Sequence, residues 1–295
     1  MIVFAPGKLV LTGAYAVLAG APAIVMATSR GAYADTTRRA LTPTVEVRAA
    51  LGDAECPHVD AASLFVGARK LGLGASAAIL VATLGAREAQ AGADLGDERV
   101  RAAIFERARA AHASAQSGGS GVDVAASTYG GVLEYIPGSA RPRTLPASTR
   151  VHVFACDASA RTAELRAQVD VLGKRDPSRH RACMEELDAI AREAARAVQA
   201  ASHEGLVGAI RRAARSLDRL GAAAGAPIVP AGFDELEAVA SAEGAAFCVS
   251  GAGGGDVAAF VGSAPPSAAF AERARKLAVV EIEVVLDEKG VRVIA

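Results

Sequence analysis

The chain has 295 residues, with 32 Lys plus Arg against 32 Asp plus Glu, so no net field steers it toward nucleic acid or an anionic membrane and any anionic ligand has to be gripped locally. The length is about twice that of a typical domain, which predicts one large or two modest domains with ample chain to bury a core. The four cysteines, Cys56, Cys156, Cys183 and Cys248, form no CxxC pair, which argues against a structural zinc site or a disulfide scaffold and fits a reducing, cytoplasmic setting. The N-terminus lacks the basic leader and apolar core of a signal peptide, and no segment reaches the roughly 18 uninterrupted apolar residues of a membrane span.

Residues 2 to 34 alternate short apolar runs with turn signals: Ile2-Val3-Phe4 before Pro6-Gly7, Leu9-Val10-Leu11 before Gly13, then Ala23-Ile24-Val25-Met26. This predicts strands joined by hairpins. Val45-Glu46-Val47-Arg48 alternates in the same manner and predicts a further strand. From Ala75 to about Gln90 the pattern turns helical and almost wholly apolar, as in a buried helix, and a second helix is predicted from Asp97 to about Ala115. Gly130 to Tyr135 reads as a strand. The stretch Pro137 to Arg143, rich in Pro, Gly and Arg, is the predicted boundary between a first domain of residues 1–145 and a second of residues 146–295. Val151 to Cys156 starts afresh as a strand.

Met184, Leu187, Ile190, Ala194 and Val198 share one face of a helix, as do Leu206, Ile210, Ala213, Leu217 and Leu220 of the next. Val280, Ile282, Val284 and Leu286 then alternate up to a turn at Asp287-Glu288-Lys289-Gly290, and Val291 to Ile294 return. A closing β-hairpin is predicted there. Strand clusters and helix clusters are segregated rather than strictly alternating, so the class is α+β in two lobes.

The segment with most chemical content is Lys70-Leu71-Gly72-Leu73-Gly74-Ala75-Ser76-Ala77-Ala78, a glycine-rich turn that runs straight into the buried helix. Glycines let the backbone approach an anion, and a helix start offers unpaired N–H groups and the positive end of the dipole. Read by itself, the segment fits a tight loop before a buried helix equally well. It also fits G-x-G-x-x-A, with Asp94 about twenty residues downstream as a dinucleotide fingerprint requires, but Asp94 falls in a polar turn rather than at a strand end. No G-x-x-x-x-G-K-[ST] is present, so a Walker-type loop is not supported. Two other glycine-rich segments, Ser117 to Asp123 and Ser250 to Asp256, and the Pro-Gly segment Ala5-Pro6-Gly7-Lys8 are each weak alone.

In chain order these segments resemble the GHMP kinase superfamily, whose members transfer the ATP γ-phosphoryl group to small metabolites. Ala5-Pro6-Gly7-Lys8-Leu9-Val10-Leu11-Thr12-Gly13-Ala14-Tyr15 looks like its first motif, Gly72 to Ala78 like its phosphate-binding loop, and Ser250 to Asp256 like its third motif. Ala111-His112-Ala113-Ser114-Ala115-Gln116, followed by Gly119-Ser120-Gly121-Val122-Asp123, is similar to the phosphomevalonate kinase branch, as are Lys70 and Gly225-Ala226-Pro227-Ile228-Val229-Pro230. Departures are Ala14 where many members carry glutamate, Ala75 in place of the first loop serine, and a segment before Ser120 that is about one residue short.

The resemblance implies a two-lobed fold, an N-terminal lobe like ribosomal protein S5 domain 2 and a ferredoxin-like C-terminal α/β lobe. It implies ATP and Mg²⁺ as cofactors and phosphomevalonate as acceptor, with another GHMP acceptor, such as mevalonate or a sugar, or an inactive nucleotide-binding homologue, as alternatives. By carry-over, Gly72, Leu73, Gly74, Ala75, Ser76 and Ala77 hold the nucleotide, Ser76 touches Mg²⁺, and Asp123 with Lys8 carries catalysis. Lys8, Lys70, Ser120, Gly121, Gly253 and Gly254 face the substrate.

Bland readings stand beside these: Asp123 and Asp256 as helix caps, His112 as a histidine making one structural hydrogen bond, and Glu106, a second metal-ligand candidate, as part of a solvated helix face. Arg30, Arg161, Lys174 and Arg179 are weaker candidates for the substrate's existing phosphate. The partner expected is a phosphorylated small molecule, with no nucleic acid and no membrane, and a homodimer is the one protein assembly allowed for.

Overall fold

The structure, a computed structural model, describes residues 1–67, 69–116, 118–156 and 162–295. In chain order its elements are β1 (Ile2–Thr12), β2 (Ala23–Arg39), α1 (Val45–Leu51), β3 (Pro57–Asp60), β4 (Phe65–Val66), β5 (Arg69–Lys70), α2 (Ala75–Gln90), α3 (Glu98–Ala115), α4 (Val122–Tyr129), β6 (Val132–Ile136), β7 (Ser139–Arg143) and β8 (Arg150–Cys156). They continue as α5 (Thr162–Arg175), α6 (Pro177–Gln199), α7 (His203–Ala224), α8 (Phe233–Ala242), β9 (Ala246–Val249), β10 (Val257–Gly262), α9 (Ala268–Lys276), β11 (Val279–Ile282) and β12 (Arg292–Val293). Helix and strand are mixed and segregated, an α+β fold.

Two compact units are built from interleaved segments. One comprises Met1–Leu9, Val25–Pro142 and Val285–Ala295; the other comprises Val10–Ile24 and Arg143–Val284. In the first, the sheet runs β12-β1-β2-β6-β7, with β3 added alongside β2. Helix α2 is buried on nearly every side, from Ala75 through Leu80, Val81 and Leu84 to Ala89. Small residues make that possible: a Cβ on Gly85 would lie 2.7 Å from Val291 Cγ2, so the helix comes within van der Waals contact of its neighbours only without one.

The second unit carries an antiparallel sheet in the order β11-β8-β10-β9. Its core is aromatic, with Phe247 and Phe270 at 5.3 Å between ring centroids and Phe260 and Phe270 at 4.9 Å. Leu187, Ile190, Ala194 and Val198 of α6 and Leu206, Ile210, Ala213, Leu217 and Leu220 of α7 are buried, the faces that the helical spacing marks out; Met184 is only half-buried.

Three expectations are corrected. Val45 to Arg48 is not a strand but the start of α1, because Thr44 caps it: its hydroxyl accepts a hydrogen bond from Val47 N at 3.3 Å. Pro6-Gly7 does not end a strand; β1 runs uninterrupted from Ile2 to Thr12. The two arms of the expected closing hairpin do not pair with each other. β11 pairs with β8 and β12 pairs with β1, Val3 opposite Val293. Between them Asp287 staples the turn, its Oδ1 accepting from Lys289 N and Gly290 N at 3.1 and 2.9 Å.

Candidate active site

Strand β1 places Lys8 against the glycine loop of the first unit. Lys8 N–H donates to Leu73 O at 2.8 Å, and its Nζ donates to Gly72 O at 2.9 Å. The preceding residue has to be glycine, since a Cβ there would stand 2.5 Å from Leu73 O. Gly72 and Gly74 lie at φ +72° and +80°, the left-handed region open to glycine at little cost. Gly74 is the N-cap of α2 and contributes no side-chain cap, which leaves first-turn amides for another acceptor. Over this glycine two side chains converge: a Cβ on Gly74 would meet Lys8 Cγ at 2.9 Å and Asp123 Cβ at 3.7 Å.

Asp123 stands in the first turn of α4, its Oδ1 accepting from Val124 N at 2.9 Å. The cap expected as its bland role is therefore partly real, but the other oxygen faces elsewhere. Asp123 Oδ2 lies 3.5 Å from His112 Nε2. Gly121, at φ +80°, precedes the helix, and a Cβ there would meet Tyr135 Oη at 2.9 Å and Arg109 Cγ at 3.0 Å. Ser120 Oγ accepts from Val122 N at 3.3 Å, and its carbonyl accepts from Tyr135 Oη.

A polar chain that sequence reading missed links α1 to the end of α3. Glu46 of α1 is 5% exposed. Gln116 Nε2 donates to Glu46 Oε1 at 3.0 Å and faces His112 Nε2 at 3.1 Å. Burial acts to raise the carboxyl's pKa, but hydrogen bonding, that from Gln116 foremost, outweighs it and holds the group below its ordinary value. One signal for this pair was legible: His112 and Gln116 are four apart on α3 and share a face. Glu46 had none, having been read into a strand.

Other predicted residues fall outside this cluster. Lys70 is exposed on β5, opposite Phe65. Glu106 is ion-paired with Arg109 at 2.6 Å on an exposed face of α3. Arg30 Nη1 donates to Ser63 O at 3.2 Å, Lys174 and Arg179 are exposed, and Arg161 lies outside the described residues. Asp94 caps a turn, accepting from Gly96 N at 2.8 Å, and β5 before the glycine loop is a two-residue strand paired only with β4, not the parallel-sheet strand that a dinucleotide fingerprint follows.

The third glycine-rich segment belongs to the second unit. Gly254 N–H donates to Ile228 O at 2.8 Å, and a Cβ on Gly253 would lie 2.1 Å from the same oxygen. Ser250 Oγ accepts from Val10 N at 2.9 Å. Tyr15 donates to Ala252 O at 2.8 Å, and this bond anchors a bulky residue held at φ 61°, a conformation that costs on the order of 1 kcal/mol or more. Burial pushes the Tyr15 phenol well above its ordinary range.

The residues fit a nucleotide and a hard cation. The cradle over Gly74 is one that a Cβ would fill, the helix start behind it is uncapped, and the donors beside it are hydroxyl and carboxylate oxygens, the set that Mg²⁺ takes. No group of three or more His, Cys, Asp or Glu side chains that could hold a metal ion occurs among the described residues.

No protein-family model matches the chain. It is 33% identical over 214 residues to a phosphomevalonate kinase from a Streptomyces species, covering 64% of this chain but only 56% of that protein. It is 30% identical over 215 residues to the mevalonate kinase of Archaeoglobus fulgidus, covering 66% of this chain and 72% of that one. Its structure superposes on Streptococcus pneumoniae phosphomevalonate kinase in complex with phosphomevalonate and AMPPNP with a TM-score of 0.77 at 17% identity, over 97% of this chain and 99% of that one, which establishes the fold. The chain belongs to the GHMP kinase family.

Proposed function

We propose that the protein is an ATP- and Mg²⁺-dependent small-molecule kinase, with phosphomevalonate as acceptor and diphosphomevalonate and ADP as products. The observation that carries this reading is the convergence of Lys8 and Asp123 over Gly74 at the uncapped start of α2. Phosphoryl transfer needs positioning and charge neutralisation more than covalent participation by the protein. The backbone N–H groups of Ala75, Ser76 and Ala77 bind phosphate oxygens; Lys8 spreads positive charge over the moving phosphoryl group; Ser76 and Asp123 offer oxygens to the cation. A bound Mg²⁺ supplies charge neutralisation across the phosphates.

Because the acceptor is itself a phosphate monoester, it is largely ionised at neutral pH. Asp123 therefore orients Lys8 and the cation rather than removing a proton. Were the acceptor an alcohol, as in the mevalonate kinase relative, the same carboxylate would take the hydroxyl proton. Measuring ADP release with a coupled assay across phosphomevalonate, mevalonate and several sugars separates the two. The largest kcat/KM is expected on phosphomevalonate. Turnover on mevalonate alone reassigns the acceptor, and nucleotide binding without turnover on any acceptor removes the kinase reading.

A further inference from the structure

We infer that Asp287 and Arg292 are positioning residues for Asp123: together they clasp a turn that caps the far end of α4 and fixes where that helix stands against the strand that carries Lys8. The inference rests on the kinase reading above and deepens it. Helix α4 is short, Val122–Tyr129, with Asp123 in its first turn, and a helix leaves its last four carbonyls without a partner of its own. Ala126 O accepts from Gly130 N at 3.0 Å, whereas Thr128 O is capped from far along the chain, by Val291 N at 3.2 Å. The approach demands glycine on both sides. A Cβ on Gly290 would overlap Thr128 O, and one on Gly130 would overlap Gly290 N; the two residues lie at φ +68° and +73°.

One carboxylate holds the turn that makes this cap. Asp287 is 8% exposed, and its Oδ1 accepts from Lys289 N, Gly290 N and Arg292 Nη1 at 3.1, 2.9 and 3.0 Å. Its Oδ2 lies 2.8 Å from Arg292 Nη2. The guanidinium reaches over the Phe4 ring of β1, 4.7 Å from the centroid. The backbone of Asp287 is tied to the same sheet: its N–H donates to Ala27 O at 3.1 Å, and its carbonyl accepts from Gly131 N at 2.7 Å. The helix that bears Asp123 is thus referenced at its far end to β1 and β2, and β1 is the strand that bears Lys8. A largely buried ion pair carries a desolvation cost that apolar side chains would avoid. What the two-pronged pair gives in return is fixed geometry, and two groups that converge on Gly74 depend on geometry.

The test compares wild type with Arg292→Ala, Asp287→Asn, Asp123→Asn and the Arg292→Ala/Asp123→Asn double variant. It reads kcat and KM on the acceptor that wild type turns over fastest, AMPPNP affinity by calorimetry, and hydrogen–deuterium exchange over α2 and α4. Arg292→Ala is expected to lower kcat about tenfold to a hundredfold, the cost of a misplaced group, with KM for ATP and AMPPNP affinity nearly unchanged. Amides of α4 should exchange faster while those of α2 keep their protection, and Asp287→Asn should show the same pattern. In the Asp123→Asn background, Arg292→Ala should cost nothing further, because the group it positions is already gone. Arg292→Lys keeps the charge without the fork and is expected to recover part of kcat; should Arg292→Ala fail to fold, the lysine variant carries the comparison with a smaller loss of the same kind.

Four results overturn the inference while leaving the kinase reading intact: wild-type kcat in the Arg292 variants, an equal fall in kcat and nucleotide affinity, exchange that quickens equally in α2 and α4, or losses that multiply in the double variant. A wild-type protein that turns over no acceptor overturns the kinase reading, and the inference with it.

Discussion

Lys8 and Asp123 stand on a shared floor, the α-carbon of Gly74, from which a Cβ would reach within 2.9 Å of Lys8 Cγ and 3.7 Å of Asp123 Cβ. That glycine also sits at φ +80°. Gly74→Ala therefore pays twice, in backbone strain of about 1–2 kcal/mol and in displacement of the lysine stem. A fall in thermal midpoint of a few degrees and at least about a tenfold loss of nucleotide affinity, one decade being about 1.4 kcal/mol, are expected by scanning fluorimetry and calorimetry. Unaltered affinity would mean that the nucleotide does not use this loop.

Asp123→Asn, which removes a charge that orients Lys8 and the cation, is expected to lower kcat by about 10²–10³-fold with ATP affinity nearly unchanged. The amide oxygen can still accept from Val124 N, so the start of α4 keeps its bond. If steady-state kinetics show turnover intact, or titration shows nucleotide affinity collapsing, Asp123 is a structural residue.

Glu237 of α8, in the second unit, offers a separate pH test. Burial raises its pKa above the ordinary value of 4.5, against the opposing pull of hydrogen bonds from Phe247 N and Ser241 Oγ. The folded state thus holds the proton more tightly than the unfolded chain. Below 4.5 both states are protonated and there is no penalty; as pH rises through 4.5 toward the folded value the unfolded chain ionises first and stability falls. Glu237→Gln should flatten that decline in thermal midpoint above pH 4.5. An unchanged pH profile would show that the carboxyl ionises freely in the fold.

Cys248 is the least reactive thiol expected. Burial, with a smaller contribution from the Glu237 carboxylate, pushes its pKa up to about 12, so the thiolate that alkylating agents require is scarce at pH 8. Iodoacetamide labelling of the native protein followed by peptide mass spectrometry should modify Cys183, which is not fully buried, and reach Cys248 only as the protein unfolds. Early labelling of Cys248 would show that β9 opens locally.

What sequence reading found here is what local chemistry writes. The boundaries of α2 follow from an apolar run after a glycine turn, and Asp97 marks the start of α3 because its side chain accepts from Arg99 N at 2.7 Å. Lys8, Gly74 and Asp123 were legible from motif order. Glu46 was not, because four alternating residues do not distinguish a strand from a first helical turn, and only the capping bond of Thr44 decides between them. Val279 to Val293 misled for the opposite reason: alternation and a turn signal are local, whereas the choice of partner, β8 for one arm and β1 for the other, is made by residues more than 100 positions away.

The pairing of β1 with β12 has a bearing on biosynthesis. On one side β1 is flanked by β2, and on the other Val3 pairs with Val293; the unit that holds Lys8, the glycine loop and Asp123 also claims Val285–Ala295. A nascent chain that has emerged as far as Pro142 therefore carries every residue of the candidate catalytic cluster but lacks the strand that seals the sheet beside it. Of the two units, the one that carries this candidate cluster is entered first and closed last.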